Sequence, residues 1–544
     1  MEKHHDIQEI EWQFDALDLR PISRWLASGN APEGTPDGFT VEPLGEEKLS
    51  DSYLDTADWS VLRAGYALRI RRRGDETEAT IKRLDSVSGA GPKVRREISE
   101  RLSRSGAASP ASATGVVGEW VRALSGDRKL LELFEVRTSR RTYRLQHRAP
   151  DKEEASRAEI ALDATEIPVA VGEPVSLKRV EVELETGEAG EFDAFVEKLT
   201  ERFRLSPSRT SKYEAGLFGL GLTPPEPPDF GPTELSPTMQ TGEYAFAVLR
   251  EQFRRFLARE PGTRIGEDPE ELHDMRVASR RTRAAIKLFG VALPVRARRF
   301  DDDLKWVATF LGEVRDLDVQ LAQMEAWASE LSGASGAFEE LRRTLEAERD
   351  AARRTMLLSL ESSRYRRFLE SYSGFLQRGP SPGPLAGSIP VTESGAGIIS
   401  RAYRKFRKLG DSVTDDSPAE AYHSLRKRGK RLRYALEFLT PVYGKSAKKM
   451  IWTLKTVQDV LGDHQDAAVA AGQLRDLAPD APTGQPLTPR TYFIMGKLAV
   501  RCEAEMSGAE ERFSGIYPKI RGKPWKRFRR SMKRAAAETA DKGN

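Results

Sequence analysis

Cysteine is almost missing: Cys502 is the only one in 544 residues, so no intrachain disulfide can form and a secreted disulfide scaffold is excluded. Long apolar runs are missing as well, none approaching the roughly eighteen residues of a membrane span. The opening Met1-Glu2-Lys3-His4-His5-Asp6 lacks the basic-then-apolar order of a Sec-type signal. The expected protein therefore sits in the cytoplasm and neither crosses a membrane nor carries such a signal. Overall charge is small too, with 87 Lys+Arg against 83 Asp+Glu, or +4. That balance hides an asymmetry. Residues 1–242 hold 33 basic and 43 acidic side chains, −10, and residues 243–544 hold 54 and 40, +14. A basic C-terminal part points to an anionic partner.

A chain of this length with 39% apolar residues is expected to fold as several domains, mixing α and β. Pro224, Pro225, Pro227, Pro228, Pro232 and Pro237 crowd one segment, where neither helix interior nor central strand is allowed. The expected domains are 1–222, a linker at 223–242, and 243–544. Before the linker, the runs 66–72, 78–82, 134–145, 158–162 and 177–185 are rich in β-formers, several alternating apolar with polar residues. Residues 103–115, rich in Ser, Ala and Gly, read as a mobile loop. After the linker the periodicity is helical, broken by the Gly/Pro/Ser stretch 379–397 into halves of about 243–378 and 398–534.

Those halves repeat. His273, Arg276, Arg280 and Arg283 recur 150 positions later as His423, Arg426, Lys430 and Arg433, and 311–316 (LGEVRD) recur at 461–466 (LGDHQD). The inference is a duplicated all-α bundle with pseudo-twofold symmetry. Offsets of 0, 3, 7 and 10 place each set within an arc of about 80° on its helix. Met275, Ala285, Ile286 and Phe289 turn away from the first stripe, and Leu425, Leu432, Ala435 and Leu436 from the second, supplying core. Arg offers a fork of donors for phosphate oxygens, Lys a compact charge and His a switchable donor, so an extended polyanion fits. Zinc is a poor fit for His273 and His423, because Arg neighbours stand where further ligands belong.

These helices resemble the CHAD family of conserved histidine α-helical domains, over about residues 243–534. The resemblance implies binding of inorganic polyphosphate without a chemical step, through His273, Arg276, Arg280, Arg283, His423, Arg426, Lys430 and Arg433, with Arg281, Lys427, Arg428 and Arg431 alongside. Localisation at polyphosphate granules is compatible with that.

In the first part, Glu9, Glu11 and Gln13 share a strand face, and paired carboxylates can bind Mg²⁺ or Mn²⁺. Arg69 and Arg71 share another face, Lys82 follows, Glu159 and Asp163 share a third, and Glu181, Glu183 and Glu185 a fourth. Carboxylates for cations beside bases for phosphate oxygens are what a metal-bound triphosphate needs, and a closed antiparallel barrel would turn them inward.

With Tyr53-Leu54-Asp55-Thr56, Thr80-Ile81-Lys82, Arg95-x-Glu97 and Ser211-Lys212, this order resembles the CYTH family, or triphosphate tunnel metalloenzymes, over about residues 5–220. The resemblance implies an eight-stranded antiparallel tunnel that hydrolyses triphosphates with a divalent cation. It implies metal binding by Glu9, Glu11, Glu181 and Glu183 and phosphate binding by Arg69, Arg71, Lys82, Arg141 and Lys212. Glu159 or Asp163 would assist metal or water. The sequence does not fix the strand register that decides among Arg137, Arg140 and Arg141; parity pairs Arg137 with Arg141. Gln13 departs from the family's Glu-x-Glu-x-Lys pattern and removes a charge. The expected activity is hydrolysis of inorganic triphosphate or short polyphosphate. The alternative is a polyphosphate-binding scaffold without turnover. Nucleic acid is not an expected partner, because there is no DNA-reading motif and the His/Arg stripe lacks interleaved aromatics.

Overall fold

The computed structural model describes residues 5–542 except 30, 75, 85–90, 103–108, 149–153, 171, 331–334, 381–383, 415 and 477–486. Parts of the expected 103–115 loop and of the 379–397 break lie outside the described residues. The chain divides into two compact units, Met1–Pro227 and Pro228–Asn544. The division falls in the proline-rich segment, where residues 222–236 form neither helix nor strand.

Among the described residues, eight strands build the barrel of the first unit, β1 His5–Asp15, β2 Phe39–Thr56, β3 Tyr66–Arg73, β4 Glu76–Arg83, β5 Lys93–Arg101, β6 Leu130–His147, β7 Ser156–Ile167 and β8 Val175–Thr186, and the two-residue strand Ser206–Pro207 adds to β1. All pairings are antiparallel in the order β5-β4-β3-β2-β6-β7-β8-β1, and β1 also pairs with β5, which closes the barrel. The barrel is inverted relative to an ordinary core. On β1, Trp12 and Phe14 face outward, and Val180 and Val182 do so on β8, packing with Ile22, Trp25, Phe195 and Leu199 of two covering helices. Because strand side chains alternate, Glu9, Glu11 and Gln13 and then Glu181 and Glu183 necessarily face inward.

The short helix Lys212–Gly219 presents its first residue to the interior. A reciprocal cap fixes its start: the Ser211 hydroxyl accepts from the Glu214 amide at 3.1 Å, and Glu214 accepts from the Ser211 amide at 2.7 Å. Its middle, at Gly216, lies on Phe134, whose ring packs with Tyr53 and Tyr213 at centroid distances of 5.2 and 6.0 Å.

In the second unit, each half supplies five helices in the same order. The first half has Thr241–Ile265, Pro269–Leu288, Phe300–Glu330, Ser335–Glu361 and Ser363–Arg378. The second has Val391–Gly410, Ala419–Phe438, Thr440–Asp476, Pro489–Arg521 and Lys523–Lys542. Gln240 and Pro390, themselves 150 positions apart, form an antiparallel bridge, as expected of residues on a pseudo-dyad. The apolar residues expected behind both stripes are all buried in one core shared by the halves. No helix among the described residues is long and apolar enough to cross a membrane.

Gly216 is where the fold allows no side chain: a Cβ there would lie 2.2 Å from the Phe134 ring, which Tyr53 and Tyr213 hold in place. Gly216→Ala is expected to destabilise the first unit by about 1–3 kcal/mol, despite the better helix propensity of Ala. Urea unfolding followed by the circular dichroism of the strands measures this; an unchanged midpoint would contradict the packing.

Candidate functional site

The barrel encloses a cavity of about 140 Å³ whose walls carry both charge signs, Arg69, Arg71, Lys82, Arg95, Arg140, Arg179 and Lys212 against Glu9, Glu11, Glu97, Glu181 and Glu183. Of the residues expected there, Glu9, Glu11, Glu181, Glu183, Arg69, Arg71, Lys82 and Lys212 line it.

Two charge networks divide this wall. In the first, the Lys82 ammonium is shared by carboxylates: it pairs closely with Glu9 and stands 3.1 Å from Glu97 and 3.4 Å from Glu11. Arg69 adds a contact to Glu97 at 3.3 Å, and Arg71 holds Asp51 through two bonds of 2.8 Å. Burial opposes the charge on Glu97, but Lys82 and Arg69 hold it down to about 2. Glu9 goes the other way. Its burial, against Lys82 but with Glu11, Glu97 and Glu183 nearby, raises it to about 8. Burial, with Glu97, Glu11 and Glu159 adding to it against Lys82, raises Glu183 to about 7. Arg69 answers Glu97 and Arg95 stands 3.6 Å from Glu11, so Glu9 and Glu183 are the carboxylates left short of positive charge.

In the second network Asp163, fully buried at 0% exposure, receives two bonds from Arg140 at 2.8 and 2.7 Å and a close contact from Lys212. Glu181 joins through Arg140 at 2.6 Å and Lys212 at 3.2 Å. Burial works against its charge, yet Lys212 and Arg140 hold it well below the usual carboxylate range. Asp163 thus positions Arg140 and Lys212, and both its oxygens are taken. Glu159 stands on the inner face opposite Glu183 but outside the cavity lining.

One expectation is corrected. Arg141 lies on the outer face, its side chain 50% exposed and paired with Glu46 at 3.0 Å. The register explains this: β6 places Arg140 opposite Asp163 and Arg141 opposite Leu162, an outward apolar residue. Arg137, of the same parity as Arg141, is exposed too. The inward arginine is therefore Arg140. Sequence reasoning also left Arg95, Arg179 and Lys93 without a role. Lys93 sits two residues before Arg95 on the same face of β5, and its ammonium donates to the Gln13 side-chain oxygen at 3.2 Å and the Ser208 carbonyl at 3.0 Å. The Gln13 amide in turn donates to Glu11 at 2.9 Å and Glu181 at 3.4 Å. Gln13 thus bridges the two networks as a neutral group, with a lysine from the neighbouring strand behind it.

Among the described residues, no group of three or more His, Cys, Asp or Glu side chains stands ready to hold a metal ion, because the Lys82 ammonium occupies the space among Glu9, Glu11 and Glu97. The donor chemistry nonetheless fits a hard divalent cation: the ligands are all carboxylate oxygens, and the burial and neighbouring carboxylates that raise Glu9 and Glu183 leave negative charge that such an ion would offset. Glu9, Glu11 and Glu183 are the residues that fit, while Glu181 is drawn to Arg140 and Lys212.

In the helical unit, the stripes of Pro269–Leu288 and Ala419–Phe438 meet. Arg276 pairs with Asp316 at 3.3 Å, and its counterpart Arg426 with Asp466 at 3.9 Å, again 150 positions on. Burial chiefly, and Arg280 beside each, lower the proton affinity of both despite those carboxylates. Burial, then Arg280, Arg426, Arg433 and Arg276, push Lys430 down to about 7. The Nε atoms of Arg276 and Arg426 and Nδ1 of His273 are buried with no hydrogen-bond partner. At the margins, Arg283 is held by Asp301 at 3.0 Å and His423 contacts Gln465.

Comparison with known proteins agrees with this architecture. The CYTH domain model matches residues 27–216 and the CHAD domain model residues 247–475. Two uncharacterized proteins from strains of Mycobacterium tuberculosis are 26% identical over 543 residues, 94% of this chain and 98% of theirs. The crystal structure of the CHAD domain from the plant Ricinus communis covers 55% of this chain and 97% of its own at 27% identity, with a TM-score of 0.46. A Hippeastrum protein, described as a candidate adenylyl cyclase that reveals a dominant triphosphatase activity, covers 39% of this chain and 96% of its own at 18% identity, with a TM-score of 0.26. The chain is a CYTH domain followed by a CHAD domain.

Proposed function

We propose that the tunnel hydrolyses inorganic triphosphate or short polyphosphate and that the helical unit binds longer polyphosphate. The observation that carries the first half is the cavity of the closed barrel, with Arg69, Arg71, Arg95, Arg140 and Lys212 on its wall beside Glu9 and Glu183, whose negative charge is undercompensated. The bases bind and orient the phosphate oxygens of a linear triphosphate, and the enclosing barrel limits water around them. A divalent cation held by Glu9, Glu11 and Glu183 would supply charge neutralisation at the reacting phosphoryl group. Lys82, released from Glu9, turns its ammonium to the phosphate. Asp163 keeps Arg140 and Lys212 extended toward it.

Gln13 favours a second reading, a tunnel that binds and does not turn over, since a neutral amide stands between Glu11 and Glu181. Phosphate release from inorganic triphosphate, with Mg²⁺ or Mn²⁺ and an EDTA control, separates the two. The first reading expects metal-dependent release that Glu9→Gln or Glu183→Gln lowers on the order of a hundredfold. Absence of release by folded protein would establish the second.

The orphaned donors on the stripes and the crowding of Arg276, Arg280, Arg426 and Lys430 support the polyphosphate half. A bound polyanion raises the Lys430 pKa above its free value of about 7, so binding takes up a proton. The affinity contributed by this charge is complete below about pH 7 and is lost as pH rises toward the bound-state pKa. Calorimetric titration with long-chain polyphosphate at fixed ionic strength should show affinity falling from about pH 6.5 to about pH 9, by at most about tenfold per unit. Lys430→Gln should flatten that slope; an unaltered slope would place the proton elsewhere.

A further inference from the structure

At one end of the tunnel the cations outrun the carboxylates. Arg69, Arg71, Lys82, Arg95, Arg140 and Lys212 each stand within ion-pair distance of a carboxylate. Lys93 does not. Its ammonium is satisfied by two neutral oxygens, the Gln13 side chain at 3.2 Å and the Ser208 carbonyl at 3.0 Å, and among the described residues it meets no carboxylate at ion-pair distance. Burial, then Arg95, with Arg179 adding to them against Glu11, lower its pKa. Arg179 is matched only in part. It is 1% exposed, and its Nη1 is buried with no hydrogen-bond partner among the described residues, while Nε meets Asp15 at 3.3 Å and Nη2 the Thr210 carbonyl.

One short loop gathers both groups. The Ser208 amide donates to the Gln13 carbonyl at 2.9 Å, the Ser208 carbonyl accepts from Lys93, and the Ser208 hydroxyl donates at 3.1 Å to the Thr210 carbonyl that Arg179 also holds. Gln13, Arg95 and Arg179 line the cavity, so a turn of the flexible Lys93 stem off the Gln13 oxygen brings its ammonium to the same wall. The energetics favour an anion here without a metal. To take Lys82 or Lys212 an anion must displace a carboxylate, exchanging one charge-assisted bond for another. At Lys93 it displaces only neutral oxygens, and Arg179 Nη1 has no bond to give up. A compact ammonium beside a guanidinium fork suits a phosphate group, whose charge is spread over several oxygens. At about 3.4 Å per residue, Gln13 lies about 14 Å along β1 from Glu9, so a linear triphosphate held here by one end runs toward Glu11 and the carboxylates that fit the cation.

We propose that Lys93 and Arg179 anchor the terminal phosphate of a linear triphosphate at the Gln13 end of the tunnel, and that this contact needs no metal. It rests on the reading of the tunnel as a triphosphate site, names the residues that hold one end of the chain, and does not require turnover. Two measurements on the full-length protein in EDTA test it. Acylation of lysines by an N-hydroxysuccinimide ester, read by peptide mass spectrometry, should fall severalfold at Lys93 under saturating inorganic triphosphate and stay unchanged at the exposed Lys129. Triphosphate in EDTA should also raise the thermal transition of the first unit, with a Kd that Lys93→Gln weakens at least about tenfold and Lys93→Arg restores to within about threefold. A lysine that only braces residues 206–210 against β1 would instead lower the ligand-free transition on Lys93→Gln and leave the triphosphate shift intact. That result, or Lys93 labelling indifferent to triphosphate, would overturn the proposal. Failure here is distinct from failure of the hydrolytic reading. Metal-dependent phosphate release with Lys93 unprotected in EDTA removes the anchor and keeps hydrolysis; Lys93 protected with no release under either metal keeps the anchor and leaves the tunnel a binding site.

Discussion

Alternation along a strand forces every second side chain of a closed barrel inward, and in this protein the inward series is charged. Taking Glu9, Glu11, Glu97, Glu181 and Glu183 out of water is costly unless cations accompany them, so Arg69, Lys82, Arg140 and Lys212 follow from the same constraint. The outward series must then carry the hydrophobic core. Trp12, Phe14, Ile160, Leu162, Val180 and Val182 need a cover, which the helices Arg20–Leu26 and Asp193–Phe203 supply. Site and core are thus two faces of one alternation, and a shift of register by one residue would exchange them.

The helical unit treats charge in the opposite manner. In the tunnel Arg69, Arg71, Lys82, Arg140 and Lys212 all meet carboxylates, whereas between the two stripe helices Arg276, Arg280, Arg426 and Lys430 face mainly one another. Duplication explains how this arises: a single basic helix pairs readily with acids of its own bundle, but a pseudo-dyad brings two copies of the same sign together. Asp316 and Asp466 answer only one arginine each. Burial near like charge holds Lys430 at about 7, and an incoming polyanion relieves that repulsion.

Much of this is legible in the sequence alone. The 150-residue displacement located the paired stripes, and period-two alternation placed Glu9, Glu11, Glu181, Glu183, Arg69, Arg71 and Lys82 on shared faces. What escaped depended on register. Arg140 and Arg141 are adjacent, and only the pairing of β6 with β7 decides which turns inward. Most of β2, Phe39–Thr56, went unread because Pro43 and the charged run through Lys48 break the alternation, and the strand itself is irregular between Pro43 and Gly45. The engagement of Asp163 by Arg140 and Lys212 joins residues from two strands and a helix. Lys93 behind Gln13 required the β1–β5 closure, a contact between distant parts of the sequence.

The central claim is that the tunnel's internal ion pairs give way to a triphosphate together with a divalent cation. Thermal unfolding of the first unit tests it most directly, with triphosphate alone, Mg²⁺ alone and both together. If Lys82 leaves Glu9 for phosphate while the carboxylates take the cation, the two ligands should raise the transition by more than the sum of their separate effects, and Glu9→Gln should remove the excess. A transition unmoved by either ligand, or moved equally by triphosphate in EDTA, would contradict the account.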